Sequence, residues 1–475
     1  MKNRIIQKLM VTGIFLLTIL PGFSQLTNTL YFMKGVPQVY QINPAFQPGC
    51  KYFSGLPGLS PLQLRVQNEP FALKDLLHQG TDGIWYTFMH TPETALDFLN
   101  VLNKKNFLNA DVGVPFFSMG FGSPDKGWFF AFDVTQRITT NFTYPKALFE
   151  FPIYGPQEGM VFDFNGFGIN TMMYTEVAVN YSHKINDMIT VGLRGKALLG
   201  QVDLSSTKFD VTLATSEKEW IARSNIEMNA TLPFLDVRFD EAGMISPDST
   251  NFISDIEKSI PRMIFNPKNT GLAMDLGVDI RPFDKLQLSA SIIDFGAIKW
   301  KDKVYNLSNK GEYKYDGINV TLEGIDQFQP ILDSLKESFK FRADSVPYST
   351  WLPTKIYLGA AYYVHPKISF GVLSRTEFYQ STIRQQFTMS ANLYPIRMIS
   401  TTFSYSIMEG SYKNLGFGLA LKLLPLNFYI ITDTAPSIYF WPMDAKYLNL
   451  RVGLNFMIGG KQKKKAQKFD LPLVN

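Results

Sequence analysis

Twelve charged residues stand at alternate positions of apolar stretches, and they are where this chain could do chemistry: Asp133, Arg137, Glu176, Arg194, Lys196, Asp275, Asp279, Arg281, Arg375, Glu377, Lys422 and Arg451. Strand residues two apart share a face, so each charge points away from the greasy side of its segment. Gathered on the inside of a closed sheet, they would either guide a solute and hold a plug, or pair across strands to fill the interior. Both signs are mixed, which does not suit a strongly anion- or cation-selective pore. A second group, Asn43-Pro44-Ala45-Phe46, has turn chemistry, because proline fixes its own backbone, restrains Asn43 and leaves the asparagine amide free to bond nearby backbone.

Signals for catalysis are thin. The four histidines, His78, His90, His183 and His365, are scattered, with no two at metal-ligand spacing. Ser182 and His183 are neighbours, yet neighbours on a strand face opposite ways and cannot form a nucleophile–base pair. No constellation for an enzyme, a metal or a cofactor stands out, so none is expected.

The elements that must position these residues are strands. Residues Tyr447 to Gly459 alternate strictly: Leu448, Leu450, Val452, Leu454, Phe456 and Ile458 oppose Asn449, Arg451, Gly453, Asn455, Met457 and Gly459. Roughly 10 alternating residues is the length a tilted strand needs to cross a bilayer, and longer than most strands of a soluble sandwich. The pattern recurs at 62–67, 117–121, 128–138, 171–183, 188–199, 202–213, 226–232, 272–280 and 286–293. From Thr354 onward it becomes a meander with short turns such as His365-Pro366-Lys367. The fold class predicted is an all-β membrane protein, an antiparallel transmembrane β-barrel of about 14 strands (about 12 to 16), with a few short helices in its loops. Helices are expected at 71–79, at 91–103, where Thr91 is a good N-cap and Pro92 a good first residue, and at 251–260 and 325–341. Residues 142–168 read as a long loop and 301–322 as an extended extracellular hairpin.

Composition agrees. Mean hydropathy is −0.03, aromatics are 14% and charged residues 18%, as expected where lipid-facing and interior residues alternate and cancel. The net charge of +5 is mild and gives no argument for nucleic-acid binding. Residues 1–24, with a basic start, a short apolar run and Pro21-Gly22 before Ser24, read as a cleaved signal peptide. Cys50 is the sole cysteine, so no internal disulfide forms. Residues 25–60 hold Pro37, Pro44, Pro48 and Pro57, too many for a strand, yet carry Leu30, Tyr31, Phe32, Val39, Ile42 and Phe46, too greasy for water. They are expected to form a plug in the barrel, with 61–460 as the barrel and 461–475 as a basic periplasmic tail.

Three stretches carry a resemblance: Gly271-Leu-Ala-Met-Asp-Leu-Gly277 with Asp294-Phe-Gly-Ala-Ile-Lys-Trp300; Leu352-Pro-Thr-Lys-Ile-Tyr-Leu-Gly359 with Ile368 to Phe378; and Asn414 to Leu421 with Asn427 to Asp433. They resemble an uncharacterised family of Gram-negative outer-membrane proteins, known as a domain of unknown function. That family is similar to fatty-acid-transporter (FadL-type) barrels and to the PorV-type barrels of type IX secretion. Asn43-Pro44-Ala45 resembles a triplet of the transporters' N-terminal hatch. The resemblance implies a protein of the outer membrane, in contact with its lipid, that binds or passes a small hydrophobic solute. The alternative it implies is a non-transporting platform for a secreted or surface protein.

Overall fold

The computed structural model describes residues 28–80, 82–123, 125–155, 157–216, 219–233, 235–236, 251–252, 264–316, 341–379, 382–408, 411–435, 443 and 446–459. The expected signal peptide, all but the last residue of the helix at 325–341, most of the helix at 251–260 and the basic tail lie outside the described residues.

Antiparallel strands close into a barrel of 14 wall strands. The first is made of two pieces, β1 (Tyr52–Gly55) and β2 (Leu62–Glu69). Next come β3 (Lys105–Ser123), β4 (Trp128–Pro145), β5 (Gly168–Lys184) and β6 (Ile189–Thr215). The strand β7 (Glu219–Thr231) lies outside the wall, and the wall resumes with β8 (Thr270–Phe283) and β9 (Leu286–Trp300). After β10 (Val304–Asp316), also outside it, β11 (Tyr348–Trp351) and β12 (Thr354–His365) share one position. The meander is β13 (Ile368–Tyr379), β14 (Thr382–Ile396), β15 (Ile399–Met408), β16 (Ser411–Leu423), β17 (Leu426–Thr432) and β18 (Tyr447–Ile458). Closure is made where β18 pairs with both β1 and β2.

Burial alternates residue by residue along the wall, as a two-solvent sheet requires. In β18 the odd positions Asn449, Arg451 and Asn455 are almost wholly buried, whereas Phe456 and Ile458 are about half exposed. Exposed apolar side chains such as Leu276, Leu358, Val372, Phe387, Met389 and Phe403 form the outer belt. No helix among the described residues is long and apolar enough to cross a membrane.

Several boundaries differ from the sequence reading. Residues 52–55, assigned by proline content to the N-terminal segment, pair with β18 and β3 and belong to the wall. The stretches 188–199 and 202–213 are not two strands but one 27-residue strand, β6. Its first part pairs with β8 over 189–199, and its upper part leaves the wall to pair with β7, which in turn pairs with β10. Residues 105–115 are also wall, hidden in the sequence because Pro115 and a bulge before Phe117 interrupt the alternation. The stretch 142–168 is only partly a loop: β4 runs to Pro145, a helix α2 follows at Ala147–Tyr154, and β5 begins at Gly168. Helix α1 (Pro92–Val101) is capped by Thr91, whose hydroxyl accepts from the Thr94 amide. It packs Phe98 and Leu99 with Phe149 and Tyr144, roofing the long-loop end.

Candidate functional site

Residues 28–50 lie inside the barrel, and nearly all are buried. Their apolar side chains, Leu30, Tyr31, Phe32, Met33, Val36, Val39, Ile42 and Phe46, form one cluster with the wall residues Ile293, Tyr357, Tyr363, Leu373, Tyr429 and Ile431. Burying greasy surface explains why this proline-rich chain turns inward. Its polar groups are then matched to the wall. The Asn28 and Thr29 amides donate to the two oxygens of Asp433 at 3.0 and 2.9 Å. Tyr394 donates to the Phe32 carbonyl at 3.0 Å, Gln38 to Asn455 at 2.6 Å, and Tyr40 to Asp133 at 2.8 Å.

Asn43 holds the segment at its turn. Its Oδ1 accepts from the Ala45 amide at 3.0 Å, while its Nδ2 donates to the carbonyls of Val278 and Ala290, both at 3.2 Å. This contact needs paired glycines beneath it. Gly277 lies opposite Gly192 across β8 and β6, and a Cβ on either would stand 2.1 Å from Asn43 Oδ1 or from the Pro44 backbone. Ala45 and Phe46 are buried beside it, and Phe46 meets Tyr31 edge-on at 5.3 Å.

Above this turn lies an ion-pair network. Arg194 reaches Asp133 and Glu176, both at 2.8 Å, and Asp275 at 3.8 Å. Lys196 reaches Asp275 at 2.7 Å and Asp294 at 2.5 Å, and Asp294 also takes Lys355 at 2.7 Å. Arg137 joins through Glu176 at 3.4 Å. These charges sit on the inner faces of five neighbouring wall strands, β4, β5, β6, β8 and β9, and on β12. Their mutual neutralisation is what lets groups of such cost be buried at all.

Of the twelve candidates, Asp133, Arg137, Glu176, Arg194, Lys196 and Asp275 are thus brought together. Arg375 and Glu377 form a second cluster with Arg65, which bridges Glu377 at 3.5 Å and Asp111 at 2.7 Å. Asp279 and half-buried Arg281 pair at 3.3 Å near the short-turn end. Arg451 is fully buried without a carboxylate within ion-pair distance among the described residues, and donates to Gln41 at 2.6 Å. Lys422 is buried, and its ammonium has no hydrogen-bond partner among the described residues. Ser182 points inward to accept from Gln47 at 3.2 Å, while His183 is exposed, so the two face opposite ways.

Sequence reasoning missed Arg65, Asp111, Asp294, Lys355 and Asp433. Arg65 and Asp111 alternate with apolar neighbours and carried a readable signal. Asp294 did not: β9 turns odd positions inward up to Ile293, and a bulge with φ 62° at Asp294 swings this even residue in as well.

At the short-turn end, the N-terminal segment and the wall leave a cavity of about 100 Å³, lined by Tyr31, Phe32, Val39, Phe46, Tyr363 and Met457 together with Lys34, Asp279 and Arg281. The Lys34 ammonium has no hydrogen-bond partner among the described residues and lies over the Tyr363 and Tyr394 rings at 4.4 and 5.1 Å.

No curated protein sequence matches the chain. Among solved structures, it is similar to a Pseudomonas aeruginosa FadL homologue, with a TM-score of 0.40 and 11% identity over 93% of this chain and 100% of that one. It is also similar to the Pseudomonas putida toluene transporter TodX (TM-score 0.35, 10% identity, 91% and 97% covered). A third is the Ralstonia pickettii toluene transporter TbuX (TM-score 0.32, 8% identity, 94% and 100% covered). The family model of DUF5723, a family of unknown function, matches residues 44–433, and the chain belongs to that family.

Proposed function

We propose that this protein is a plugged barrel of the outer membrane that binds a small hydrophobic solute and passes it when residues 28–50 shift. The observation that carries the reading is the cavity between this segment and the wall, whose sides are aromatic and aliphatic and whose rim holds Lys34 and Arg281. Apolar walls with a few placed polar groups are the usual make-up of a small-molecule site. At about 100 Å³ it is smaller than the roughly 300 Å³ such sites begin at, so a whole ligand enters only if the segment gives way.

A seam in the wall supports the same reading. Between β1 and β2 the regular ladder is broken over residues 56–61, opposite the bulge near Phe116 in β3. The Leu56 amide still donates to the Leu454 carbonyl at 2.9 Å and the Gly58 amide to the Pro115 carbonyl at 2.7 Å, and Leu56 is 48% exposed on the outer side. Ser60 and Gln38 close the inner side, both bonded to Asn455. Movement of the segment would uncover this seam toward the bilayer.

The second reading, a platform for a secreted or surface protein, is favoured by the sheet of β6, β7 and β10 beyond the wall. It has its own aromatic core of Phe151, Phe162, Phe164, Trp220 and Tyr313. Native mass spectrometry of the detergent-purified protein separates the two. A co-purified hydrophobic small molecule, lost on Phe46→Ala, supports the first; a stoichiometric protein partner and no such molecule overturns it in favour of the second.

A further inference from the structure

We propose that the outer face of the wall binds one anionic phospholipid, with its tails in a groove across β8, β9, β12, β13, β14 and β15 and its headgroup on the short turns of the same strands. The groove encloses about 540 Å³ and is lined mostly by apolar side chains. Its shape follows from size alternation across the ladder. Ala290 stands beside Leu358, Ala360 beside Leu288, and Ser374 beside Phe387, so small residues form a floor between large ones. Met389 and Phe387, 67% and 55% exposed, rise at one side. This surface lies on the belt that faces hydrocarbon, so acyl chain is its natural filling.

The second observation is charge. The hairpins β8–β9, β12–β13 and β14–β15 are consecutive in the wall and turn at the same end. Each turn carries an exposed cation: Lys285, Lys367 and Arg397. Asp284 is the one acidic residue on these turns. Neighbouring hairpins are about 10 Å apart, close enough for long basic side chains to converge on one headgroup. Exposed Phe283, Val364, Ile396 and Met398 flank the cations, which places the charges where hydrocarbon gives way to headgroups. From the turns to the groove is about three to ten residues, roughly 10–33 Å along tilted strands, so its nearer part lies within the reach of a lipid tail through one leaflet. A groove for tails beneath a basic cluster fits a phospholipid with a net negative headgroup better than a neutral lipid or an apolar protein face.

The test is native mass spectrometry of the full chain in detergent, with phosphatidylglycerol or phosphatidylcholine of the same acyl chains added. Wild-type protein should retain phosphatidylglycerol preferentially. The double variant Lys367→Glu/Arg397→Glu should lose that preference, with at least roughly fivefold weaker retention per cation removed. Ala360→Trp, which fills the groove, should weaken retention of both lipids, and Ala290→Phe replaces it should the tryptophan prevent folding. Heat-modifiable migration in gels checks that each barrel is folded. Equal retention of the two lipids by wild type overturns the headgroup site, and retention unchanged by groove filling overturns the tail site. A second protein chain displaced by groove filling would make this face a protein interface and overturn both.

Discussion

Lys196 Nζ sits 2.5 Å from Asp294 Oδ1, although Asp294 stands where the alternation of its strand would send a side chain into the membrane. The bulge that reverses it also aims the Asp294 amide at Asp275, which accepts at 2.7 Å. Lys196, Asp275, Asp294 and Lys355 thereby form a chain across β6, β8, β9 and β12. A bulge kept at such a place serves to aim a side chain.

Asp294→Asn isolates the charge from the backbone, since asparagine also tolerates a positive φ. Lys355 would lose the one carboxylate within ion-pair distance of it among the described residues, and Lys196 one of three. Removing one partner of a buried pair costs on the order of 3–5 kcal/mol. The urea midpoint of the folded barrel should fall accordingly, whereas Asp302→Asn, on the exposed Lys268 pair, should leave it within about 0.5 kcal/mol.

This residue also marks how far the sequence could be read. Alternation made the lumen legible wherever it ran unbroken, as at Arg194, Lys196, Glu176, Arg375 and Arg451, because period two leaves each side chain only two directions. It failed at Asp294 and before Phe117, where one extra residue reverses the parity and nothing in composition announces it. The upper half of β6 and its partner were both legible, since 202–213 and 226–232 read as neighbouring strands and the register pairs them. What was not legible is that the strand of 189–199 runs on into 202–213 without a break. The seat of Asn43 was half visible. The turn is written in Asn-Pro-Ala, whereas the glycines that receive it lie more than a hundred residues away.

Facing is tested by charge insertion. Leu419 and Leu454 lie on the lipid side, and arginine there should cost roughly 2–4 kcal/mol near mid-bilayer. Gly418 and Asn455 point inward, but not into open water. A Cβ at Gly418 would stand 2.8 Å from Met33 Sδ, and Asn455 is bonded to Gln38. Gly418→Arg should therefore leave a heat-modifiable barrel while making residues 28–50 sensitive to protease. Loss of the barrel itself would count against this facing.

Asp203 predicts a pH effect beyond the apolar belt. It lies well up β6 from the short turn at Asn186, roughly 40 Å along the barrel axis against an apolar band of roughly 25 Å, where β6 pairs with both β5 and β7. Burial pushes its carboxyl up from 3.8 to about 7, although hydrogen bonds from Tyr348 at 2.9 Å and Thr350 at 3.2 Å work the other way. The folded state then holds its proton more tightly than the unfolded chain. Between pH 3.8 and about 7 the native state binds more protons, so local stability is highest at the acid end and falls as pH rises. Amide exchange at 203–231 and 348–351 should be slower at pH 5 than at pH 8 after correction for the intrinsic rate. Asp203→Asn should remove that difference; a slope that survives the substitution belongs to another group.

The N-terminal segment gives the last prediction. Asn28 and Thr29 clasp Asp433, Gln38 bonds Asn455, Asn43 bonds two wall carbonyls and Gln47 donates to the Gly127 carbonyl, so the segment is tied at both ends and in the middle. Ties of this kind are individually worth about 1 kcal/mol, and together they hold the segment in the barrel without making it part of the wall. The fourteen strands pair independently of it, so a chain lacking 26–46 should still close and migrate as a folded barrel. If the segment blocks passage, that deletion should raise single-channel conductance in planar bilayers. Gly277→Val should do so in part, because its Cβ would stand 2.1 Å from Asn43 Oδ1 and unseat the turn while leaving Asp433 bound. A folded deletion variant with unchanged conductance would leave the ion-pair network of Arg194 and Lys196 as the true barrier. Glu176→Gln in that background would then be the step that opens it.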